Sequence, residues 1–92
     1  MSSGRRSVKL EIITPREMFY TGQVEMLSVP TVSGQEGFMA GHIWCVKLLT
    51  AEGDVKIREA GASQLKTAVI HGGYVDIKDD FIVYTDGAEW KE

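Results

Sequence analysis

Apolar and polar residues alternate along most of this chain of 92 residues, and this period of two constrains its fold more than any other feature. In the segment "SVKLEIIT", Val8, Leu10 and Ile12 alternate with Lys9 and Glu11. Successive side chains of an extended strand point to opposite faces, so this pattern predicts a half-buried β-strand. No stretch of 12 residues shows the spacing of an amphipathic helix. The pattern therefore predicts a fold built from strands.

Further strands are predicted where the alternation recurs between glycines. The segment "EMFYTGQVEMLSVP" predicts two short strands that pivot at Thr21-Gly22, and "DVKIREA" predicts one strand. The segment "LKTAVIHGGYVDIKDDFIVYTD" predicts three strands, separated by turns at Gly72-Gly73 and Asp79-Asp80. Short strands with turn signals between them are typical of sandwiches and barrels. We therefore predict an all-β single domain.

Charge and composition argue against several classes of function. The net charge is −3 with a pI near 5.3, whereas a nucleic-acid surface needs a concentration of basic residues. No apolar run approaches the roughly 18 residues that a membrane-spanning helix requires, so membrane contact is expected only through a partner. The one cysteine, Cys45, cannot form an internal disulfide. We predict neither nucleic-acid binding nor a membrane span.

Residues that could carry out chemistry are few. One cysteine and two histidines fall short of the Cys and His ligands that a structural zinc site needs. His42 and Cys45 are three residues apart, which on an extended strand sends them to opposite faces. Cys45 is therefore interpreted as a small core residue. The glycine-rich segments "GQEG" and "GGY" lack the following helix that a phosphate-binding loop needs. We predict no catalytic, metal-binding or cofactor-binding residue; a small Cys-dependent enzyme is kept as an alternative that predicts a reactive thiol.

The segment "GQEGFMAGHI" is predicted to be a surface loop, because its apolar residues lie between glycines and polar residues. Large apolar residues exposed on a loop often mark a partner-binding surface. Phe38 and Met39 are the candidates for such a surface, and His42 is expected to face outward. The pattern is equally consistent with a Phe38 side chain that folds into the core.

Three segments of the sequence together resemble the epsilon subunit of bacterial and chloroplast rotary ATP synthases. They are "VKLEIITPREMFYTGQVEML", "SGQEGFMAGH", and "HGGYVDI" followed by "FIVYTDGAE". The first resembles the family's opening strand, Thr-Pro turn and "GxVE" strand. The second resembles its "EGELGILPGH" loop, and the third its "SGGFLEV … VTVLADTAE" ending. The resemblance runs from Val8 to Glu89 and covers the N-terminal β-sandwich domain of the family.

The resemblance implies a sandwich of about ten short strands in two sheets. It also implies a noncatalytic rotor subunit in the central stalk of an F-type ATP synthase. Such a subunit binds the gamma subunit and contacts the c-ring, so that ion translocation is coupled to ATP synthesis. The implied location is the cytoplasmic face of the bacterial inner membrane, where the subunit is peripheral and held through the complex. No cofactor is implied.

The resemblance further assigns candidate partner-binding residues. The c-ring-facing residues that it implies are Gln35, Phe38, Met39 and His42, and the gamma-facing residues are Thr14 and Lys47. Gln35 stands where the family has an acid, and Ala40 stands where it has a proline. We therefore expect a less rigid loop that lacks the acidic contact. Trp44, another departure, is predicted to be either a core residue or an added contact.

The predicted organisation has three parts: a flexible N-terminal arm at residues 1–7, an epsilon-type β-sandwich at residues 8–87 and a polar C-terminal tail at residues 88–92. In most family members a two-helix hairpin begins at this tail, and the sequence ends there instead. We therefore expect no nucleotide binding from this polypeptide. A free-standing β-sandwich binding module outside the synthase is the alternative, and the departures at Gln35, Ala40 and Trp44 are the reason for keeping it.

Overall fold

The computed structural model describes residues 6–41 and 44–91, and all regular secondary structure in these two ranges is β-strand. No helix long and apolar enough to cross a membrane occurs in this part of the chain. The strands are β1 (Val8–Ile13), β2 (Met18–Thr31), β3 (Gly34–Met39), β4 (Cys45–Leu48), β5 (Gly53–Glu59), β6 (Leu65–Ile70), β7 (Tyr74–Ile77), β8 (Phe81–Tyr84) and β9 (Ala88–Trp90).

Hydrogen bonds join the strands in the spatial order β4-β7-β8-β1-β2-β5-β6-β9, and β3 pairs with the second half of β2. Strands β1 and β8 are parallel, whereas the other pairs among the described residues are antiparallel. Consecutive strands β2-β3, β5-β6 and β7-β8 form hairpins with short turns, as the sequence predicts for β7-β8. The long strand β2 therefore lies at the centre of the network.

Strand β2 is one continuous strand, so the prediction of two strands that pivot at Thr21-Gly22 is wrong. Tyr20 and Val24 point into the core, and the next buried residue of the strand is Leu27. An even spacing would have buried residue 26 or 28, so the inward-facing positions shift by one residue after Val24. The register with β5 shifts at the same place, between Val24 and Met26. A β-bulge inserts one extra residue and re-aims the side chains that follow it. Both halves of β2 face the same core because of this bulge.

The network folds over into two layers that share β2. Trp90 of β9 lies three strands away from β2 in the spatial order, yet its ring centroid is 4.8 Å from that of Phe19 and 5.8 Å from that of Tyr20. At the other end of the order, Leu49 after β4 forms a bridge with Thr31 of β2. The shortest dimension of the molecule is 22 Å, which accommodates two sheets packed about 10 Å apart. The predicted all-β sandwich is confirmed.

The core lies between the two layers and follows the predicted alternation. Val8, Leu10 and Ile12 of β1 are all buried, and Lys9 between them is exposed. Other strands contribute Val55, Ile57, Ile70, Val75, Ile77, Phe81 and Val83. Burying a Val, Leu, Ile or Phe side chain contributes about 1.5–3 kcal/mol. These inward residues hold the two layers together.

The segment "SGQEGFMAGH" is mostly a strand, so the prediction of a surface loop is wrong for residues 34–39. Two-residue turns at Val32–Ser33 and Ala40–Gly41 bound strand β3 in the described residues. Gln35, Gly37 and Met39 are exposed, and Phe38 is buried. The glycine at position 37 lies on the exposed face, where its missing side chain costs no core packing.

Residues 88–90 form strand β9, so the prediction of a polar tail beginning at residue 88 is wrong for this stretch. Ala88, Glu89 and Trp90 pair with Ile70, Val69 and Ala68 of β6. At the other end of the chain, the Ser7 hydroxyl donates to Oε1 of Gln23 at 3.1 Å. The remainder of the predicted arm, residues 1–5, and residue 92 lie outside the described residues.

A hydrogen bond and an ion pair connect side chains of β2, β5 and β6 near Trp90. The Tyr20 hydroxyl donates to Oε2 of Glu59 at 2.7 Å, and Nζ of Lys66 lies 3.4 Å from Oε1 of the same carboxylate. Burial and the Glu59 carboxylate raise the pKa of Tyr20, and the bond from Tyr20 lowers the pKa of Glu59. A Cβ at Gly22 would lie 2.6 Å from the Tyr20 hydroxyl oxygen. Gly22 therefore makes room for this ring and is not a pivot.

Candidate functional site

Gln35, predicted to face the c-ring, is exposed on β3, but its amide nitrogen is engaged within the protein. The Nε2 group donates to Oγ of Ser28 at 2.9 Å and to the backbone oxygen of Asp54 at 3.0 Å. An amide nitrogen carries two hydrogens, so both donors are used. The carbonyl oxygen of Gln35 is the part of the side chain that remains for a partner, and it is an acceptor.

Met39 and Phe38, the neighbouring candidates, point to opposite sides of β3. Met39 is 57% exposed and lies opposite Met26 of β2, whereas Phe38 is 2% exposed and packs in the core opposite Leu27. The assignment of Phe38 as a partner contact is therefore wrong, because its side chain is not accessible. His42, the fourth residue of this set, lies outside the described residues. The exposed side chains of Gln35 and Met39 form what we call the β3 surface.

Thr14, predicted to face gamma, holds together the turn between β1 and β2. Its hydroxyl accepts hydrogen bonds from the backbone nitrogens of Arg16 and Glu17 at 3.3 and 3.1 Å, and it donates to the Glu17 carbonyl at 3.2 Å. Threonine hydroxyls commonly close turns of this kind. The Thr14 side chain is half-buried and already hydrogen-bonded, so it shapes the surface there without offering a free polar group.

Lys47, the other residue predicted to face gamma, forms an ion pair with Glu36 of β3. Its Nζ lies 3.6 Å from Oε1 of Glu36, and the second oxygen of that carboxylate accepts from the Thr31 hydroxyl at 2.9 Å. Lys47 shares the inward-facing phase of β4, opposite the buried Val75 of β7. The side chain is 42% exposed, yet its charge is compensated inside the protein. Thr14 and Lys47 thus each make their polar contacts within the protein.

An apolar row crosses the outer face of one layer, and the sequence analysis did not predict it. Its members are cross-strand neighbours in the register of five strands: Leu48, Tyr74, Tyr84, Ile13 and Met18. We call this set the outer row. Leu48, Tyr74 and Met18 are exposed, and the other two are half-buried. The rings of Tyr74 and Tyr84 are stacked, with their centroids 4.8 Å apart and an interplanar angle of 27°.

Strand β4 extends this apolar surface at one edge. Trp44 and Val46 precede Leu48 on the same phase of the strand and are about 60% exposed. Because Trp44 is exposed, its interpretation as a core residue is wrong, and its role as an added contact stays a prediction. Cys45 lies on the opposite phase, is half-buried and packs against the core, which agrees with its interpretation as a small apolar residue. Its geometry relative to His42 lies outside the described residues.

A sequence signal for the outer row exists. In "FIVYT", the inward residues Phe81 and Val83 alternate with Ile82 and Tyr84, so both faces of the strand are apolar. Apolar residues in both phases are typical of strands covered on both sides. On the outer side of β8, Ile82 and Tyr84 are half-buried, and Tyr74 beside them is exposed. Exposed apolar surface of this continuity is typical of a partner-binding face.

No group of three or more His, Cys, Asp or Glu side chains in residues 6–41 and 44–91 is arranged to hold a metal ion. The arrangement that these residues do present is two outward surfaces, the outer row on one layer and the β3 surface on the other.

A comparison with protein-family models decides the family. The model of the ATP synthase delta/epsilon chain β-sandwich domain matches residues 7–91. The chain belongs to this family. Among the relatives of this delta/epsilon family, the ATP synthase epsilon chain of Alkaliphilus metalliredigens is 41% identical over 85 residues, which cover 91% of this chain and 61% of the relative. The epsilon chain of Caldanaerobacter subterraneus is 34% identical over 88 residues, covering 95% and 62%. The chain thus spans about three-fifths of the length of these relatives.

Solved structures share the delta/epsilon β-sandwich fold. The cryo-EM structure of the Euglena gracilis mitochondrial ATP synthase, containing OSCP, F1 and the c-ring, includes a chain that matches with a TM-score of 0.83 and 23% identity. The match covers 97% of this chain and 59% of that chain. A chain in the Tetrahymena thermophila central stalk and c-ring structure matches with a TM-score of 0.75 and 14% identity, covering 92% and 67%. At these identities the likeness establishes the fold.

Proposed function

We propose that this chain is the β-sandwich part of a noncatalytic central-stalk subunit of an F-type ATP synthase, in which it binds the gamma subunit and contacts the c-ring. The observation that carries the proposal is the outer row, an exposed apolar surface in a chain that belongs to the delta/epsilon family. A subunit of this kind transmits rotation by holding two neighbours and transforms no substrate. Its place would be peripheral, on the cytoplasmic face of the bacterial inner membrane, held through the complex.

The outer row supplies the contact that we assign to gamma. A stable protein interface needs an apolar centre with aromatic anchors, and the stacked pair Tyr74 and Tyr84 lies in the middle of the row. Leu48 and Met18 extend it to either side. Binding to gamma would bury side chains that the isolated chain exposes to water, and each buried apolar side chain favours the complex.

The β3 surface supplies the contact that we assign to the c-ring. It belongs to the other layer of the sandwich, so both partners have room to bind at once. Met39 offers an apolar contact, and the Gln35 carbonyl offers an acceptor for a donor group on the c-ring. This assignment replaces the charge contact of the family pattern with a neutral hydrogen bond.

The proposal is tested by mixing the chain with the gamma subunit of the same synthase and measuring complex formation by size exclusion and calorimetry. We expect a one-to-one complex. Replacing Leu48, which is 63% exposed, by serine is expected to weaken it about 10- to 100-fold, because burial of a leucine contributes about 1.5–3 kcal/mol. The fold should be preserved, since most of the side chain is exposed.

The matched control is Leu65→Ser. Leu65 is 48% exposed on β6, in the other layer, and is expected to leave the affinity for gamma unchanged. Equal weakening by both variants would reject the outer row as the interface. A well-folded chain that forms no complex with gamma would instead favour the free-standing β-sandwich module.

A further inference from the structure

A groove of about 320 Å³ opens beside the middle of the outer row, where three turns meet. The stacked rings of Tyr74 and Tyr84 belong to its lining, together with the apolar side chains of Ile13 and Pro15. Asp86, an acidic residue, also lines the groove. The groove thus combines an aromatic platform, apolar surface and one negative charge, and it is continuous with the face assigned to the stalk partner.

The backbone around the groove is fixed by a close approach of two strands. Gly73 has a φ of 104°, and a Cβ there would overlap the carbonyl oxygen of Tyr84. Thr85 is buried, and its hydroxyl bonds the backbone of His71 and the Gly87 carbonyl, each at 3.1 Å. The backbone nitrogen of Asp86 donates to the His71 carbonyl at 3.1 Å. The carboxylate is therefore presented from a rigid support.

Asp86 forms no ion pair within the described residues, in contrast to two nearby acids, Glu11 and Asp76. Glu11 and Asp76 lie in the neighbouring cross-strand row, 3.5 Å from Nζ of Lys9 and 3.7 Å from Nζ of Lys78, respectively. No Lys, Arg or His nitrogen of residues 6–41 or 44–91 forms an ion pair with Asp86. A partner that covers the groove must therefore supply a cation or leave this charge unpaired.

We propose that the groove receives an arginine side chain from the stalk partner that covers the outer row. A guanidinium group stacks on aromatic faces and pairs with a carboxylate at the same time, which a lysine ammonium does less well. The apolar wall would cover the methylene stem. Tyr74 and Tyr84 then act as the platform and Asp86 as the counter-ion. The identity of the partner rests on the proposed function, whereas the preference of the groove for arginine does not.

The first experiment tests the groove without any partner protein. The isotope-labelled chain is titrated with N-acetyl-arginine amide and, separately, with N-acetyl-leucine amide, while amide resonances are followed by NMR. We expect the arginine derivative to shift the resonances of Gly73, Tyr74 and Asp86 with millimolar affinity and the leucine derivative to shift them much less. Asp86→Asn should abolish the difference between the two probes. Asp79→Asn, an exposed acid in the β7-β8 turn, should leave it intact. Equal responses to both probes, or no response, would overturn the proposal.

The second experiment assigns the source of the arginine. Asp86→Asn is expected to weaken the complex with gamma about 3- to 10-fold at low salt, because it removes a partly exposed ion pair. The difference should shrink as salt screens the charge. Equal affinities of the wild type and the variant would overturn the assignment to gamma. If the chain forms no complex with gamma, the proposed function fails, and the probe titration alone decides whether the groove binds arginine.

Discussion

Replacing Phe38 by alanine is expected to lower the free energy of unfolding by about 3–5 kcal/mol, the usual effect of truncating a buried phenylalanine. Phe38 is 2% exposed and packs opposite Leu27, in the part of the sandwich where β2 and β3 pair. A domain of this size has a total stability of about 5–15 kcal/mol, so the loss removes a large share of it. Urea denaturation followed by circular dichroism measures the change.

Met39→Ala is the matched control for Phe38→Ala. The two residues are adjacent, but Met39 is 57% exposed, so its truncation should change the stability by no more than about 0.5 kcal/mol. A large loss in the Met39 variant together with a small loss in the Phe38 variant would mean that β3 has the opposite register. That outcome would restore Phe38 as a surface residue and remove Met39 from the β3 surface.

The second large effect is expected for Gly73→Ala. The positive φ of 104° costs an alanine about 1–3 kcal/mol. The added Cβ would also overlap the Tyr84 carbonyl and lie 2.8 Å from Cα of Thr85, and overpacking of this kind costs a further 1–3 kcal/mol or so. We therefore expect a destabilisation of about 2–6 kcal/mol, measured as a fall in the urea midpoint.

Gly61→Ala separates the two contributions to this effect. Gly61 also has a positive φ, 80°, but a Cβ there meets no atom of the described residues within 4 Å. Gly61→Ala should therefore lower the free energy of unfolding only by the cost of backbone strain, about 1–3 kcal/mol. If Gly61→Ala and Gly73→Ala destabilise the protein equally, the close approach of β7 to the end of β8 plays no part. The support that we describe for Asp86 would then be wrong.

The strands with a clear alternation were predictable from the sequence, because one face of each is buried and the other is wet. The segments around Val8, Val55, Ala68 and Val75 are examples, and all of them form strands. In each case the pattern lies within a few residues and needs no knowledge of the partner strand. The fold class followed from these local patterns.

The errors have causes that lie further along the chain. Glycines at exposed positions made β3 resemble a loop, although Gln35 and Met39 keep to the outward phase. The bulge between Val24 and Met26 depends on the pairing of β2 with β5. Strand β9 has only three residues, and Trp90 is held by rings on β2, which no local pattern reveals. These features are decided by tertiary contacts.

The candidate site was predictable only in part for the same reason. Met39 was correctly expected to be exposed on the surface, but the side on which Phe38 lies depends on the register of β3 with β2. The outer row unites residues from five strands, far apart in the sequence, and only the order of the strands brings them together. The family resemblance implied which partners to expect, but it did not indicate which residues form the outer row.

The most direct measurement of the central claim is hydroxyl-radical footprinting of the chain, alone and in complex with gamma. Oxidation reports the exposure of Met, Tyr, Trp and Leu side chains one by one. Our account predicts that gamma protects Met18, Leu48 and Tyr74, while Leu65 and Trp90 in the other layer are oxidised as fast as before. Protection confined to Leu65 and Trp90, with the outer row as reactive as in the free chain, would contradict it.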